Sequence, residues 1–200
     1  MNHSRAQKRK EQILKGVLPL FLTHSYDSIA IPQIEEATKT TRGTLYKYFR
    51  NKEDIFQQAI NQFYDSPLNV LYALPPHKCN LQGYWTHKIH QLQMASKYFM
   101  EYGMFGDLVA YAHYVEIESV RIIPSFKEII KENRLNNITY WERVLEKSEY
   151  LGDQDNLNIK ELAEIYNALF IYKCSNYPNC DLSLPKITIE KNKSEKEVIG

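Results

Sequence analysis

The sequence predicts an all-α fold in two parts, a small N-terminal head and a larger helical body, and three observations carry that reading. Apolar residues recur three and four apart in segment after segment from Ile13 to Tyr172, the spacing that puts them on one face of a helix. The chain of 200 residues holds only 7 glycines against 15 tyrosines, which favours helices with aromatic-lined interiors over a loop-rich fold. Capping and breaking residues separate the segments: Thr41 and Asn51 as N-caps, and Pro75-Pro76, Pro124 and Gly152-Asp153-Gln154-Asp155 as interruptions.

The hydrophobic share of 44% is ordinary for a chain that buries a core. No apolar run is long enough to span a bilayer, and Arg5, Lys8, Arg9, Lys10 and Glu11 precede the first apolar pair, so neither a membrane span nor a signal peptide is expected and the cytoplasm is the expected compartment. Cys79, Cys174 and Cys180 are odd in number and lack a Cys-x-x-Cys pair, which argues for reduced thiols over a disulfide framework or structural zinc; redox sensing is the lesser alternative. The net charge of +1 hides an asymmetry: residues 1–60 carry 10 Lys+Arg against 6 Asp+Glu, a balance of +4, and the remainder carries −3. The positive excess sits in the head, where a polyanion would meet it.

Taken in order, Ile13-Leu14, Val17-Leu18 and Phe21-Leu22 mark an amphipathic first helix behind a basic arm. The arm would reach phosphates or remain solvated. Pro19 removes the bond to the Lys15 carbonyl, so a kink is expected there. Ile31 and Ile34 point a second helix inward, with Pro32 near its first position. Thr41 then opens a two-turn helix on which Leu45 and Phe49 share one face while Arg42, Thr44, Tyr46 and Lys47 occupy the others. A buried seam opposite guanidinium, hydroxyl, phenol and ammonium groups suits the major groove of DNA. Asn51 caps a longer helix from Lys52 toward Pro67, with Glu53 and Asp54 in its first turn. Further helices are expected over Leu81 to Tyr102, Met104 to Val120, Phe126 to Tyr150 and Ile159 to Tyr172. The Lys-, Glu- and Asn-rich end predicts a disordered tail over 181–200.

Gly43-Thr44-Leu45-Tyr46, Tyr48-Phe49, Lys52-Glu53 and Ile55-Phe56 together resemble the recognition-helix signature of the tetracycline-repressor (TetR) family of bacterial transcriptional regulators. The resemblance covers roughly residues 10 to 60. It implies a helix-turn-helix DNA-binding head over 1–50, a ligand-binding and dimerisation body over 51–180, and a homodimer on a palindromic operator in double-stranded DNA. By residue type and matching position, Thr41, Arg42, Gly43, Thr44, Tyr46, Lys47, Tyr48 and Lys52 are the expected DNA-binding set. Arg42 would donate to a guanine edge, Thr44 would meet a thymine methyl or a phosphate, and Tyr46 and Lys52 would meet phosphates. The chain departs from the family pattern at Gly16, Ser25 and Ala30 and in the turn Thr38-Lys39-Thr40. A glycine is usual at Lys39, where a side chain in the left-handed conformation costs about 1 kcal/mol.

The body is expected to bind an unknown small-molecule effector. Trp85, Ile89, Leu92, Phe99, Tyr102, Phe105, Val109, Tyr111, Glu116 and Trp141 are the expected pocket, with Glu116 or Asp107 pairing a cation, against the plainer reading that the rings fill a core. His87 and His90, with His113, form a weak metal candidate. No cofactor or catalytic motif is implied. The function expected is a transcriptional repressor released by its effector. The alternative is a helical small-molecule- or metal-binding protein, an enzyme among the options, that does not use its head on DNA.

Overall fold

The computed structural model describes residues 5–66, 68–75, 78–148 and 158–187, and all regular structure among them is helical. The elements are α1 (Arg5–Thr23), a 3-10 turn (Tyr26–Ser28), α2 (Ile31–Thr38), α3 (Arg42–Tyr48), α4 (Lys52–Tyr64), α5 (Leu81–Glu101), α6 (Leu108–Ile122), α7 (Phe126–Glu146) and α8 (Ile159–Asn176). Among the described residues no helix is long and apolar enough to cross a membrane. Pro76, His77 and the Gly152–Asp155 break lie outside the described residues.

The head forms because α1 commits a whole face, Ile13, Leu14, Val17, Leu18, Phe21 and Leu22, to burial against α2 and α4. Gly16 lies at the meeting of α1 and α2, where an added Cβ would come within 3.3 Å of the Ala37 carbonyl oxygen. Pro19 sits inside α1. The Lys15 carbonyl that it leaves without a helical donor accepts from the Tyr98 phenol on α5 at 3.0 Å, so the defect in one part of the fold is filled from the other.

In the body, α7 and α8 pack along each other as the most extensive helix pair, and α6 bridges to α8, α1 and α4. Its interior is a stack of rings: Tyr84 meets Trp141 edge-on at 4.4 Å, Trp85 meets Phe170 at 6.0 Å, and Trp141 stacks on Tyr166 at 5.9 Å. Lys88 lies within this core, fully buried on α5. Its Nζ donates to the Val70 and Leu71 carbonyls at 2.8 and 2.9 Å and sits 4.6 Å from the centre of the Phe170 ring. Burial pushes the ammonium pKa down to about 7.

Residues 181–187, the described part of the segment expected to be disordered, lie against this core. Leu182, Leu184 and Ile187 pack on it, and the Trp85 indole and the Tyr166 phenol donate to the carbonyls of Leu182 and Pro185. A buried indole N–H needs an acceptor, and the chain beyond α8 supplies it. Residues 188–200 lie outside the described residues.

Candidate nucleic-acid interface

The geometry of α3 follows from its ends. The Thr41 side-chain oxygen accepts from the Thr44 backbone N–H and pairs at 3.1 Å with the Thr44 hydroxyl, so the helix starts where a hydroxyl can cap it. One turn on, Leu45 is fully buried, and Phe49 follows it into the core. That anchorage turns Arg42, Gly43, Tyr46 and Lys47 to the surface, with Thr44 and Tyr48 half-buried. The Arg42 guanidinium lies 5.7 Å from the Tyr46 ring, so the two present a joint cationic and aromatic edge. A Cβ added at Gly43 would meet nothing within 4 Å, so the fold itself does not require glycine there. Its absence of a side chain lowers the exposed face instead.

The next cap is reciprocal. The Asn51 side chain accepts from the Asp54 N–H at 2.8 Å, and the Asp54 carboxylate accepts from the Arg50 N–H at 2.8 Å. Burial alone would raise the Asp54 pKa, but the Arg50 backbone N–H and the Gln58 amide hold it below the usual carboxylate range. Lys52 turns back toward the head: its Nζ donates to the Tyr26 and Ile29 carbonyls at 2.8 and 2.9 Å and lies 4.1 Å from the centre of the Tyr26 ring. It therefore ties the start of α4 to the turn before α2.

Between α2 and α3, Lys39 adopts the left-handed conformation, φ 49° and ψ 48°. The Thr40 N–H bonds the Glu35 carbonyl, closing α2, and Arg9 of α1 donates to the Thr40 hydroxyl and the Lys39 carbonyl. From sequence, Arg9 belongs to a basic arm that reaches DNA or stays solvated; in the fold it braces this turn. Its role as a brace depends on where α1 crosses the turn, which no local pattern encodes. With no hydroxyl at Ala30 to cap α2, the Gln33 side chain accepts from the Ala30 N–H at 2.7 Å.

The head is fastened to α6 by a second cluster. The Glu118 carboxylate accepts from the Tyr26 N–H at 2.8 Å and pairs with Arg121, which also reaches Asp27 at 2.7 Å. Arg121, helped by the Tyr26 N–H and opposed by burial, holds the Glu118 pKa low.

The residues expected to line an effector pocket separate into two groups. Trp85, Leu92, Phe99, Trp141 and Val109 are buried, and Ile89 and Tyr111 are half-buried. Trp85 and Trp141 belong to the central ring stack, with centroids 6.2 Å apart, while Phe99 meets Tyr111 at 5.6 Å elsewhere. Tyr102 is exposed, and Phe105 is 74% exposed in the loop before α6. Asp107 caps α6 by accepting from the Val109 and Ala110 N–H groups. Glu116 is buried and accepts from the Tyr72 phenol and from Arg134, both at 2.6 Å. It also lines an open groove of about 610 Å³ between α6 and α7. Tyr72 and Arg134 were missed because their joint partner lies 44 and 18 residues away, respectively, in the chain. His87 is half-buried, while His90 and His113 are exposed. Among the described residues, no group of three His, Cys, Asp or Glu side chains is placed to hold a metal.

Three helices, the second joined to an exposed third by a left-handed turn, make a helix-turn-helix head, carried here on a helical body. Residues 13–59 match the family model described as bacterial regulatory proteins, tetR family. The chain is 34% identical over 47 residues to the HTH-type transcriptional repressor AcnR of Corynebacterium glutamicum, covering 24% of this chain and 25% of that protein. It is 22% identical over 137 residues to the HTH-type transcriptional regulator QacR of Staphylococcus aureus, covering 64% of this chain and 71% of the other. The alignments thus span about a quarter of the AcnR chain and nearly three quarters of the QacR chain. The fold is similar to that of the reduced form of E. coli NemR, with a TM-score of 0.52 at 13% identity, covering 83% of this chain and 85% of that one. The head, over residues 13–59, is thus that of the bacterial regulatory proteins of the tetR family.

Proposed function

We propose that the protein is a cytoplasmic, non-enzymatic repressor that binds a palindromic DNA operator as a homodimer and leaves it when a small molecule binds the body. The observation that carries the reading is the seven-residue α3, anchored by Leu45 and presenting Arg42, Gly43, Tyr46 and Lys47 to solvent. On this reading Arg42 donates to a guanine edge and Tyr46 to a phosphate, and the bare Gly43 lets the helix approach the groove floor. Thr41, Thr44, Lys47 and Tyr48 contact bases or backbone at the edges of that footprint. Lys52 acts nearest to phosphate at the start of α4, with its ammonium shared with the Tyr26 and Ile29 carbonyls.

A two-turn helix is too short to specify an operator alone, so two copies about 34–36 Å apart are required. Support for pairing comes from exposed apolar side chains on the last two helices, Leu135 on α7 and, seven residues apart on α8, Ile165 and Tyr172. Burying them against a second copy removes apolar surface from water. Effector coupling would run through α6, which carries the groove residue Glu116 and also Glu118 and Arg121, the side chains that hold the Tyr26–Asp27 turn of the head. The effector can release DNA only by as much as it prefers the free form, commonly about 1–3 kcal/mol.

The test is selection of genomic DNA fragments by the purified protein. Enrichment of one palindromic sequence is expected, and uniform recovery of unrelated fragments would overturn the reading.

A further inference from the structure

We infer that the α6–α7 groove is a binding site for a medium-chain organic acid, an apolar body ending in one carboxylate. The inference rests on the effector reading above and supplies its ligand class. The groove of about 610 Å³ is lined by Ile117, Val120 and Ile130, with Lys127, Lys131 and Arg134 along one wall. Ile117 in this lining is 66% exposed, an apolar side chain that gains by being covered.

The charge arrangement selects the ligand's sign. Lys127, Lys131 and Arg134 stand four and three residues apart on α7, so they share one face and form a row about 10 Å long. The one carboxylate in the lining, Glu116, is already held by the Tyr72 phenol and by Arg134. Lys131 approaches Glu128 only to 4.0 Å, with both side chains at least three-quarters exposed. Two lining cations therefore remain in excess over the lining carboxylate. A cationic ligand would meet this row unfavourably, and a neutral one would leave it unused. A carboxylate on a chain about as long as the row places its head among the ammonium groups and its tail on the isoleucines.

The probe is decanoate, kept below its micelle-forming concentration, titrated calorimetrically into the intact protein alongside decanol and decyltrimethylammonium. Decanoate should bind at least tenfold more tightly than either control. Lys127→Glu/Lys131→Glu should weaken it at least tenfold while leaving the melting temperature and, without acid, DNA affinity unchanged. No decanoate binding, equal binding of decanol, or an unaffected double variant would overturn the inference. Phosphatidylglycerol vesicles distinguish the free acid from a lipid surface: vesicle capture that decanoate does not displace also overturns it. If DNA is bound but decanoate is not, the groove inference fails alone. If decanoate binds through the two lysines without changing DNA affinity, the site stands and its role as the effector site fails.

Discussion

The Tyr98 phenol on α5 donates at 3.0 Å to the Lys15 carbonyl in α1, the acceptor that Pro19 leaves without its helical N–H. The same ring lies under the Lys15 ammonium at 5.5 Å, so one tyrosine of the body holds both the backbone and the side chain of one head residue. This contact gives the head and body a shared stability. Tyr98→Phe should cost about 1 kcal/mol in urea unfolding, because the carbonyl loses its donor. In a Pro19→Ala background the helix supplies its own N–H, so the same replacement should cost less than half as much. Equal costs in the two backgrounds would show that the bond does not compensate for the proline.

The turn between α2 and α3 holds Lys39 at φ 49°, a conformation that glycine adopts without steric penalty. Lys39→Gly should therefore stabilise the protein by about 0.5–1 kcal/mol in equilibrium urea unfolding. Lys39→Val, branched at Cβ, should destabilise it. A loss on Lys39→Gly would indicate that the lysine side chain contributes more than its backbone strain costs.

Glu118 links the head to α6 through the Tyr26 N–H and Arg121. Glu118→Gln should cost about 1–2 kcal/mol at neutral pH, since both bonds are charge-assisted. The carboxyl pKa is lowered in the fold by Arg121 and the Tyr26 N–H, against burial. Its stabilisation is therefore complete above the unfolded glutamate value, about 4.3, and is lost as pH falls through the lower folded value. The stability gap between the wild type and the variant should close over that acid range. A gap that stays constant in acid would assign the effect to shape instead of charge.

How far the sequence could be read depended on whether a feature was local. Thr41 and Asn51 were legible as caps because each one's partner lies three residues on, whereas Lys39 was legible as a strained turn residue only through the family resemblance, which puts a glycine there. Lys88 was not: it interrupts the apolar stripe of α5, and its acceptors, Val70 and Leu71, arrive from a separate turn. Phe105 reads as a pocket residue because it falls on the stripe of a helix expected from Met104, but the helix starts only at Leu108, and Gly103 and Gly106, both at positive φ, carry the chain round and leave it exposed. The α6–α7 groove depends on how two helices cross, and only its cationic row on α7 lies in one stretch of sequence.

Whether the exposed face of α3 reads DNA is decided by a salt titration of operator binding. Affinity for the selected palindrome should fall steeply as salt rises, by fluorescence anisotropy, because cations on the protein displace counterions from phosphate. Lys47→Ala should flatten the slope of log affinity against log salt by about one unit for each recognition helix engaged. Tyr46→Ala/Lys47→Ala should abolish binding with the melting temperature unchanged. Full affinity and an unaltered salt slope in that folded double variant would show that α3 does not read DNA.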